Sequence, residues 1–448
     1  MSFYTDQQTL DDLQIFGKPG GESIFSLFNR TRTAGGAAVL EVFFRYPLSD
    51  ASAINRRAAL IQWFGSAGVR FPFRGELFDV IEPYLQNTDE RTQLAREERS
   101  FDRKLRRLIA PDGAYVAVTT GVTAVIELLQ TVNEFLKTLD KGTDHPYAEQ
   151  MRNLADLLAD PELSQMLKVK RTRRPGYAIL ATYDRMIRWR HRDKLRRLLG
   201  MIYEVDVYIA VASVAAERGF VFPVAIGKDS GMVKWEGVYH PAVKNAVGNS
   251  LCMGQESNIL FLTGANMAGK STLMKTLAIA LFLGHMGFPV SAKSLEFPVR
   301  DGIYTTINLS DNLDQGVSHF YAEVCRVREM AQALAQGRQL FIVFDELFRG
   351  TNVKDAYDAT IAVTEALAGR TNCLFIVSTH IMEAGEVLRE RCRTIRFRYL
   401  PTLMQGDRPV YPYLLEEGIS DDRHGMVIIR NEGILDILNN GRHQKKAK

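Results

Sequence analysis

A glycine-rich run between a strand-like and a helix-like stretch is the strongest chemical signal in the chain. Residues 264–271 read Gly-x-x-x-x-Gly-Lys-Ser, after the apolar residues 259–263 and before the helical pattern of 273–284. Such glycines allow a tight loop whose backbone N–H groups converge on phosphate oxygens, and the following helix adds its dipole. Lys270 would reach the β and γ phosphates, and the Ser271 hydroxyl would ligate Mg²⁺. The pattern therefore predicts a nucleotide-phosphate loop of the Walker A type, formed by Gly264, Ala265, Asn266, Met267, Ala268, Gly269, Lys270, Ser271 and Thr272.

Two further apolar runs end in polar residues. The run 340–344 leads into Asp345 and Glu346, and the run 374–378 leads shortly into His380. In open α/β sheets, ligands gather at the carboxyl ends of the strands. We predict that Asp345 serves Mg²⁺, that Glu346 orients or deprotonates the attacking water, and that His380 senses the γ-phosphate. An Asp-Glu pair is normally solvated and a lone histidine normally a satisfied polar residue, but the preceding strands favour the catalytic interpretation.

The organisation of the chain changes near residue 220. Before it, apolar residues recur three and four positions apart, which predicts long packed helices. After it, short β-rich runs alternate with helical stretches, which predicts an α/β sheet with a parallel core. The predicted domains are a helical domain at 1–225, an α/β domain at 226–436 and a basic tail at 437–448.

Composition excludes several classes of protein. Among 448 residues, 46% are hydrophobic and 24% charged, as in ordinary globular proteins. The four cysteines form no CxxC pair and have no histidines at zinc-site spacing, so a disulfide or metal framework is not expected. The N-terminus does not read as a secretory signal, and the apolar stretch near 277–286 is too short to cross a bilayer. A cytoplasmic protein without membrane contact is expected.

Four ordered motifs resemble the MutS family of mismatch-repair proteins. They are TGANMAGKST (263–272), DNLDQGVSHFYAEV (311–324), DELFRGT (345–351) and STH (378–380). The family carries TGPNMGGKST, a Gly-Arg-Ser-Thr-Phe segment, DEIGRGT and ATH in the same order. Residues 26–57 also resemble the start of the family's helical core and lever domain. The likeness covers about 26–66 and 235–434.

The resemblance implies an α-helical core/lever domain followed by an α/β P-loop ATPase domain of the ABC type, using ATP and Mg²⁺. It also implies that Asn266 and Lys270 contact phosphate, while Ser271 and Asp345 serve the metal. Ser318 corresponds to the serine that reaches the nucleotide of the partner subunit, so a homodimer through the ATPase domains is implied. By itself, Ser318 would read as a helix N-cap, and both interpretations can hold together.

The chain departs from the family pattern at several positions: Ala265 for proline, Ala268 for the third glycine, Phe348 for the glycine after Asp-Glu-Ile, and Asn352-Val353 for Ser-Thr. Phe348 is the bulkiest change and could slow turnover or alter the subunit contact. The aromatic residue that stacks on adenine in many relatives has no counterpart before the loop, and the adenine contact is left unassigned.

Basic clusters at 96–107, 168–174 and 185–197 suggest contact with nucleic acid, although charge runs on helices are usually solvated faces. The candidate contacts to double-stranded or branched DNA are Lys170, Arg171, Arg173, Arg174, Arg188, Arg192 and Arg196. Because the core-like segment begins near residue 26, the family's mismatch-recognition and connector domains are expected to be absent and the DNA clamp reduced or absent.

Two functions therefore remain open. One is a DNA-binding ATPase of mismatch repair or a related repair or recombination process. The other is a nucleotide-switched dimeric scaffold that binds a protein partner without DNA. A transporter ATPase is disfavoured, because GVSHFYAEV stands where the Leu-Ser-Gly-Gly-Gln signature would be.

Overall fold

The computed structural model describes residues 3–17, 21–94, 113–139, 145–169, 176–307, 319–348, 351–405 and 408–420, with 433, 437 and 438 besides. The chain divides into an α/β unit, made of residues 1–27, 46–58 and 217–448, and a helical unit, made of residues 28–45 and 59–216.

The first half of the chain is helical, as predicted. Its helices are α1 (Gln7–Asp12), α2 (Ile24–Phe28), α3 (Ala34–Arg45), α4 (Ala51–Ser66), α5 (Gly75–Gln86), α6 (Gly113–Leu139), α7 (Ala148–Leu158), α8 (Pro161–Leu167), α9 (Tyr177–Arg185) and α10 (Arg192–Arg218). A 3₁₀ turn at Glu90–Thr92 and a π turn at Met186–Arg190 interrupt them.

Two long helices, α6 and α10, supply much of the core of the helical unit. On α6 the apolar positions three and four apart, such as Val122, Val125 and Leu129, are buried. Among the described residues, Tyr115–Leu139 and Arg192–Arg218 are long and apolar enough to cross a membrane, yet 56% and 72% of these windows are buried within the protein. That burial is the pattern of core helices in a helical domain.

The Asn-Arg-Thr-Arg-Thr segment at 29–33 owes its structure to a buried carboxylate on α10. Asp206 accepts hydrogen bonds from the Arg32 N–H (3.0 Å), the Thr33 N–H (2.9 Å) and the Thr33 hydroxyl (2.8 Å). The Thr33 hydroxyl in turn accepts the Gly36 N–H at 2.9 Å. Burial raises the pKa of Asp206, and these donors oppose the shift. The motif therefore fixes the start of α3 on α10.

The α/β unit contains the strands β1 (Val224–Ile226), β2 (Val233–Val238), β3 (Asn249–Met253), β4 (Ile259–Gly264), β5 (Ser294–Pro298), β6 (Gly302–Thr306), β7 (Leu340–Asp345), β8 (Leu374–Ser378), β9 (Ile395–Leu400), β10 (Leu403–Gln405), β11 (Arg408–Val410) and β12 (Glu416–Glu417). Its helices in this part of the chain are α11 (Lys270–His285), α12 (His319–Ala335), α13 (Val353–Ala368) and α14 (Met382–Arg391).

A six-stranded sheet in the order β12-β9-β4-β8-β7-β6 carries the three predicted strands. All its neighbouring pairs are parallel except β12 with β9. The predicted strands are adjacent, as β4, β8 and β7, and their near-continuous burial fits a sheet covered on both faces. Their carboxyl ends therefore lie side by side. The unit also contains a four-stranded sheet, β1-β5-β2-β3, and an antiparallel pair, β10-β11.

In the structure, three segments of the predicted helical domain, residues 1–225, belong to the α/β unit: 1–27, 46–58 and 217–225. The first two find backbone partners in that unit. The Tyr4 carbonyl accepts the Ile303 N–H at 3.0 Å, and the His285 carbonyl accepts the Leu48 N–H at 2.8 Å. Their helical periodicity does not reveal which unit they pack against, and the predicted domain bounds stay a prediction.

Candidate nucleotide-phosphate site

The glycine loop takes backbone conformations that explain its glycines. Gly264 and Gly269 have φ of +138° and +98°. A Cβ on Gly264 would also lie 2.8 Å from the Leu400 carbonyl oxygen, closer than such contacts occur. Met267, with φ of +71°, takes the left-handed region without being glycine. The loop joins the end of β4 to the first turn of α11, as the sequence predicted.

Lys270 lies folded back across this loop. Its Nζ donates to the Gly264 carbonyl at 2.7 Å and to the Ala265 carbonyl at 3.2 Å. The side chain is buried, and burial lowers the pKa of Lys270, while Asp345 and Glu346 act in the opposite direction. The amine is thus held at the loop by neutral carbonyl oxygens, which an anion can replace.

A hydroxyl and a carboxylate meet beside the loop. The Ser271 hydroxyl donates to Asp345 Oδ2 at 2.6 Å, and the other carboxylate oxygen, Oδ1, is buried without a hydrogen-bond partner among the described residues. Burial raises the pKa of Asp345 and the Glu346 charge adds to the shift, whereas Ser271 and Lys270 oppose it. An oxygen-only donor pair with an unsatisfied carboxylate oxygen fits Mg²⁺, which proteins usually hold by one or two such groups.

The part of the chain that the structure describes holds no larger cluster of metal ligands that would compete with Ser271 and Asp345. In the described ranges, no group of three or more His, Cys, Asp or Glu side chains is placed to hold a metal ion. A cation at Ser271 and Asp345 would thus draw its remaining ligands from phosphate and water.

Glu346 and His380 form the next layer of the site. His380 Nε2 lies 2.7 Å from Glu346 Oε1, and the Glu346 N–H donates to the Ser378 carbonyl at 3.0 Å. Glu346 has φ of +54°, a left-handed conformation at the end of β7. Both side chains remain partly exposed. The pair can orient a water molecule and accept its proton.

Phe348 sits in a conformation that favours glycine. Its φ is +62°, which explains why the resembling family pattern has glycine there, and such a residue costs about 1–3 kcal/mol in backbone strain. The ring is buried and packs edge-on against Phe320, with centroids 6.0 Å apart. Apolar burial offsets the strain, so the turn after the two carboxylates is retained despite the substitution.

A cavity of about 350 Å³ adjoins the loop and was not predicted from the sequence. It is lined by Val238, Tyr239, His240, Val243, Lys244, Asn245, Ala246, Val247, Asn249, Ala268, Gly269, Thr272, Leu273, Thr276, Leu400 and Tyr413. The Asn249 amide donates to the Tyr413 carbonyl at 2.9 Å and accepts the Leu415 N–H at 2.8 Å. These bonds hold Tyr413 beside Gly269. No motif in the sequence marks Tyr413, and the adenine contact was left unassigned.

The structure brings together Gly264, Gly269, Lys270, Ser271, Asp345, Glu346 and His380 at one sheet edge. Asn266, Met267 and Thr272 are exposed in or next to the loop, Ala265 is half-buried and Ala268 is buried. Ser318 lies outside the described residues. The roles assigned to these residues stay predictions.

Arg188, by contrast, does not fit its predicted DNA contact. It is 1% exposed, and its guanidinium donates to both carboxylate oxygens of Asp184 at 2.6 Å. A third bond runs to the Thr92 hydroxyl at 2.7 Å, and the Trp189 ring centroid lies 4.2 Å from the guanidinium. Its charge is satisfied inside the helical unit, so the prediction is wrong at this position.

The other predicted DNA contacts divide into three cases. Arg192 is half-buried, and its Nε donates to the Leu85 carbonyl at 2.9 Å. Arg196 is exposed, as is its neighbour Arg197. The remaining candidates, Lys170, Arg171, Arg173 and Arg174, lie outside the described residues. The basic cluster at 96–107 lies outside them as well.

Both units match one family of proteins. MutS domain III matches residues 8–212, and MutS domain V matches residues 260–446. The chain therefore belongs to the MutS family, as its motifs predicted.

Curated relatives carry the same family name. The DNA mismatch repair protein MutS of Fusobacterium nucleatum subsp. nucleatum is 31% identical over 250 residues, which are 54% of this chain and 27% of that protein. The proteins of the same name from Solibacter usitatus and Bacillus cytotoxicus are 30% and 31% identical over 253 and 251 residues, covering 54% and 55% of this chain and 28% of each relative. The match spans little more than a quarter of the length of these relatives.

Proposed function

We propose that this chain is a Mg²⁺-dependent ATPase with an ABC-type P-loop fold, which couples ATP binding and hydrolysis to engagement of double-stranded or branched DNA. The observation that carries the proposal is the convergence of Lys270, Ser271, Asp345, Glu346 and His380 at the ends of three adjacent strands. A mismatch-repair or related repair or recombination role follows from the family. We also propose a cytoplasmic location.

Phosphate binding begins with an exchange of partners at Lys270. The amine leaves the Gly264 and Ala265 carbonyls and takes the charged oxygens of ATP, which are stronger acceptors. The first N–H groups of α11 add donors to the same anion. Ser271 and Asp345 would hold Mg²⁺, which when bound neutralises charge on the phosphates.

We assign hydrolysis to Glu346 and His380, which are separate from the proposed Mg²⁺ ligands. Glu346 orients the attacking water and accepts its proton, while His380 holds the Glu346 carboxylate at 2.7 Å. His380 is also placed to respond to the γ-phosphate. Asp345 is assigned to the cation because one of its carboxylate oxygens is buried without a hydrogen bond among the described residues, while the other accepts the Ser271 hydroxyl.

The cavity beside Tyr413 is proposed to take the nucleoside. It opens next to Gly269 and Thr272, where the base and sugar of a nucleotide bound at the loop would lie. The Tyr413 ring offers a stacking surface, and Val247 and Leu400 offer apolar walls. This would supply the aromatic contact that the sequence before the loop does not.

A homodimer with composite sites is proposed from Ser318 and the family pattern. Two of the most exposed large apolar side chains are Met267 in the loop, 76% exposed, and Val353 at the start of α13, 77% exposed. A partner subunit that covers these two side chains would remove them from water. If Glu346→Gln protein at micromolar concentration stays monomeric with ATP in a sedimentation experiment, the composite-site assignment fails.

The second candidate function, a nucleotide-switched scaffold without DNA, is favoured by one specific observation. Arg188 is buried and Arg192 is half-buried, which removes one of the three predicted DNA contacts at 185–197 and covers part of a second. Both candidates keep the same ATP site and differ only in the partner.

One experiment tests both candidates. ATP turnover is measured with Mg²⁺ and with EDTA for wild type, Lys270→Ala and the exposed-lysine control Lys293→Ala. Binding to matched and branched duplexes is then measured across a salt series, with and without ATP. Mg²⁺-dependent turnover that Lys270→Ala abolishes, together with salt-sensitive DNA binding, supports the proposal. ATP turnover without DNA binding at low salt would favour the scaffold function. Absence of ATP turnover would contradict the proposed ATPase activity.

A further inference from the structure

The last residues of β7 and β8 are paired in register at the carboxyl ends of these strands. Asp345 lies opposite Ser378 in the parallel ladder. Neighbouring strands run about 4.8 Å apart, and register partners point to the same face of a sheet. The preceding residues, Phe344 and Val377, belong to a buried apolar cluster on the other face. Asp345 and Ser378 therefore share the face on which Ser271 bonds the Asp345 carboxylate.

Both side chains end in a buried oxygen without a partner. Ser378 is 0% exposed, and its hydroxyl has no hydrogen bond among the described residues. Asp345 Oδ1 is in the same situation within those residues. Burial raises the pKa of Asp345, and the Ser271 and Ser378 hydroxyls both lie close enough to oppose that shift. A donor and an acceptor thus lie near each other inside the protein, and both are unsatisfied in this conformation.

The backbone of Ser378 holds the second carboxylate of the site. Its carbonyl accepts the Glu346 N–H at 3.0 Å. His380, two residues further along the chain, lies 2.7 Å from Glu346 Oε1. Ser378 therefore borders the proposed cation ligand through its side chain and the proposed base through its backbone.

Ser378 is also a point at which this chain departs from the family pattern, because the motif ATH has alanine where STH begins with Ser378. We propose that Ser378 is a positioning residue for the cation site. Its hydroxyl donates to Asp345 Oδ1 and so fixes the plane of the carboxylate, whose Oδ2 accepts the Ser271 hydroxyl. A carboxylate has about four lone-pair sites, so both oxygens keep capacity for Mg²⁺ or its water.

Without the Ser378 hydroxyl, the Asp345 carboxylate is held by Ser271 on one side only. It can then turn about its last torsion, for which the energy minimum is broad. This inference rests on the proposed function, because it concerns the Mg²⁺ that Ser271 and Asp345 are proposed to hold. It adds to that site a residue that acts through Asp345 and touches neither the nucleotide nor the metal.

The test compares Ser378→Ala with Thr360→Val in the full-length protein. Thr360 is the matched control, because its hydroxyl is equally buried and also lacks a hydrogen bond among the described residues. It lies on α13, whose Ala356 and Ile361 belong to the apolar cluster on the opposite face of the sheet. An unpartnered hydroxyl contributes no hydrogen bond to the fold, so both variants should keep the unfolding temperature of wild type without nucleotide.

The decisive measurement is the affinity for a fluorescent, non-hydrolysable ATP analogue in EDTA and in Mg²⁺, which does not depend on turnover. Loss of an outer partner of a metal ligand usually lowers metal affinity or activity by about 10–100-fold. We expect Ser378→Ala to raise the Kd in Mg²⁺ by about tenfold, at the lower end of that range, while the Kd in EDTA stays within about twofold. Thr360→Val should match wild type under both conditions.

The outcomes separate this inference from the proposed function. If Mg²⁺ tightens analogue binding equally in wild type and in Ser378→Ala, Ser378 has no positioning role and the cation site at Ser271 and Asp345 stands. A Kd that rises equally in EDTA and in Mg²⁺, or a lower unfolding temperature, would make Ser378 a structural residue and overturn the inference. If wild type does not bind the analogue, or binds it equally in EDTA and in Mg²⁺, the cation site fails and this inference fails with it.

Discussion

The phosphate site and the basic turn at 185–197 both gather charged side chains, but they leave that charge in different states. At the phosphate site, Asp345 keeps a buried oxygen without a hydrogen bond among the described residues, and Lys270 rests on neutral carbonyls. In the basic turn, Arg188 has a carboxylate, a hydroxyl and an aromatic face around it. At the phosphate site, a bound cation and phosphate could supply ionic partners for Asp345 and Lys270. Arg188 already has an ionic partner within the protein, the Asp184 carboxylate.

This difference separates a binding site from a structural ion pair better than charge count does. A buried carboxylate oxygen without a hydrogen bond is unfavourable until water or a ligand satisfies it, and beside a phosphate loop that ligand can be a cation. A buried arginine with a bidentate carboxylate is complete, and removing either partner leaves the other charge uncompensated.

The largest effect is expected at the phosphate site. Glu346→Gln keeps the size of the side chain but removes the base, so kcat should fall by about 10²–10⁴-fold with ATP still bound. The exposed Glu383→Gln, on the helix after His380, is the control and should turn over like wild type. Steady-state phosphate release measures kcat, and binding of an ATP analogue measures nucleotide affinity. Equal turnover by Glu346→Gln and wild type would remove Glu346 from the mechanism.

The next effect is on stability and concerns the basic turn. Arg188→Ala should lower the free energy of unfolding by about 3–5 kcal/mol, because Asp184 would stay buried without a counter-ion and keep only the hydrogen bond from the Tyr84 hydroxyl. Arg185→Ala, an exposed arginine one turn earlier, should change it by less than about 0.5 kcal/mol. Urea unfolding followed by circular dichroism gives both values. A small loss in Arg188→Ala would mean that the ion pair is not the structural element described.

His285 is the counterpart of Arg188 in the α/β unit, buried but neutral. Its Nδ1 lies 2.8 Å from the Leu48 carbonyl and its Nε2 accepts the Arg300 N–H at 3.3 Å, while burial lowers its pKa to about 4. A depressed pKa stabilises the fold above the unfolded value near 6.5, and this stability is lost as pH falls towards 4. The loss is at most about 3 kcal/mol.

Unfolding by urea at pH 7 and pH 4.5 checks this effect. Wild type should lose more stability between the two than His285→Gln, which cannot titrate. Identical pH dependence in both proteins would show that His285 is not the group responsible.

The smallest effect concerns the arginines that remain exposed. Arg196→Glu with Arg197→Glu should weaken duplex binding roughly tenfold and lower the salt slope by about 2, one unit per lost phosphate contact. Arg391→Glu with Arg393→Glu makes the same change in net charge on exposed residues of the α/β unit and serves as the control. Fluorescence anisotropy across a salt series measures both. Equal weakening by the two pairs would point to net charge rather than to a DNA-binding face.

The same contrast explains how much of this molecule the sequence could predict. Apolar runs ending in Asp345 and His380 place those residues at one sheet edge, because parallel strands leave few alternatives. The cavity beside Tyr413 depends on Asn249 bonding a residue 164 positions away, which no local pattern contains. Arg188 was misassigned because spacing on a helix gives a face but not the partner that covers it. The hydrogen bond from the Thr305 hydroxyl to Asp12 could not be predicted either, because the two residues are 293 positions apart in sequence.

The way the units divide the chain has a consequence for synthesis on the ribosome. The helical unit ends at residue 216, so all of it has been made before most of the α/β unit, whose first segment is nevertheless the start of the chain. Asp12 and Thr305 are 293 residues apart. At a synthesis rate of about 5–20 residues per second, residues 3–12 are therefore made roughly 15–60 s before β6, the strand with which Tyr4 pairs. During that interval residues 3–12 lack the strand they pair with and are accessible to chaperones and proteases that bind extended segments.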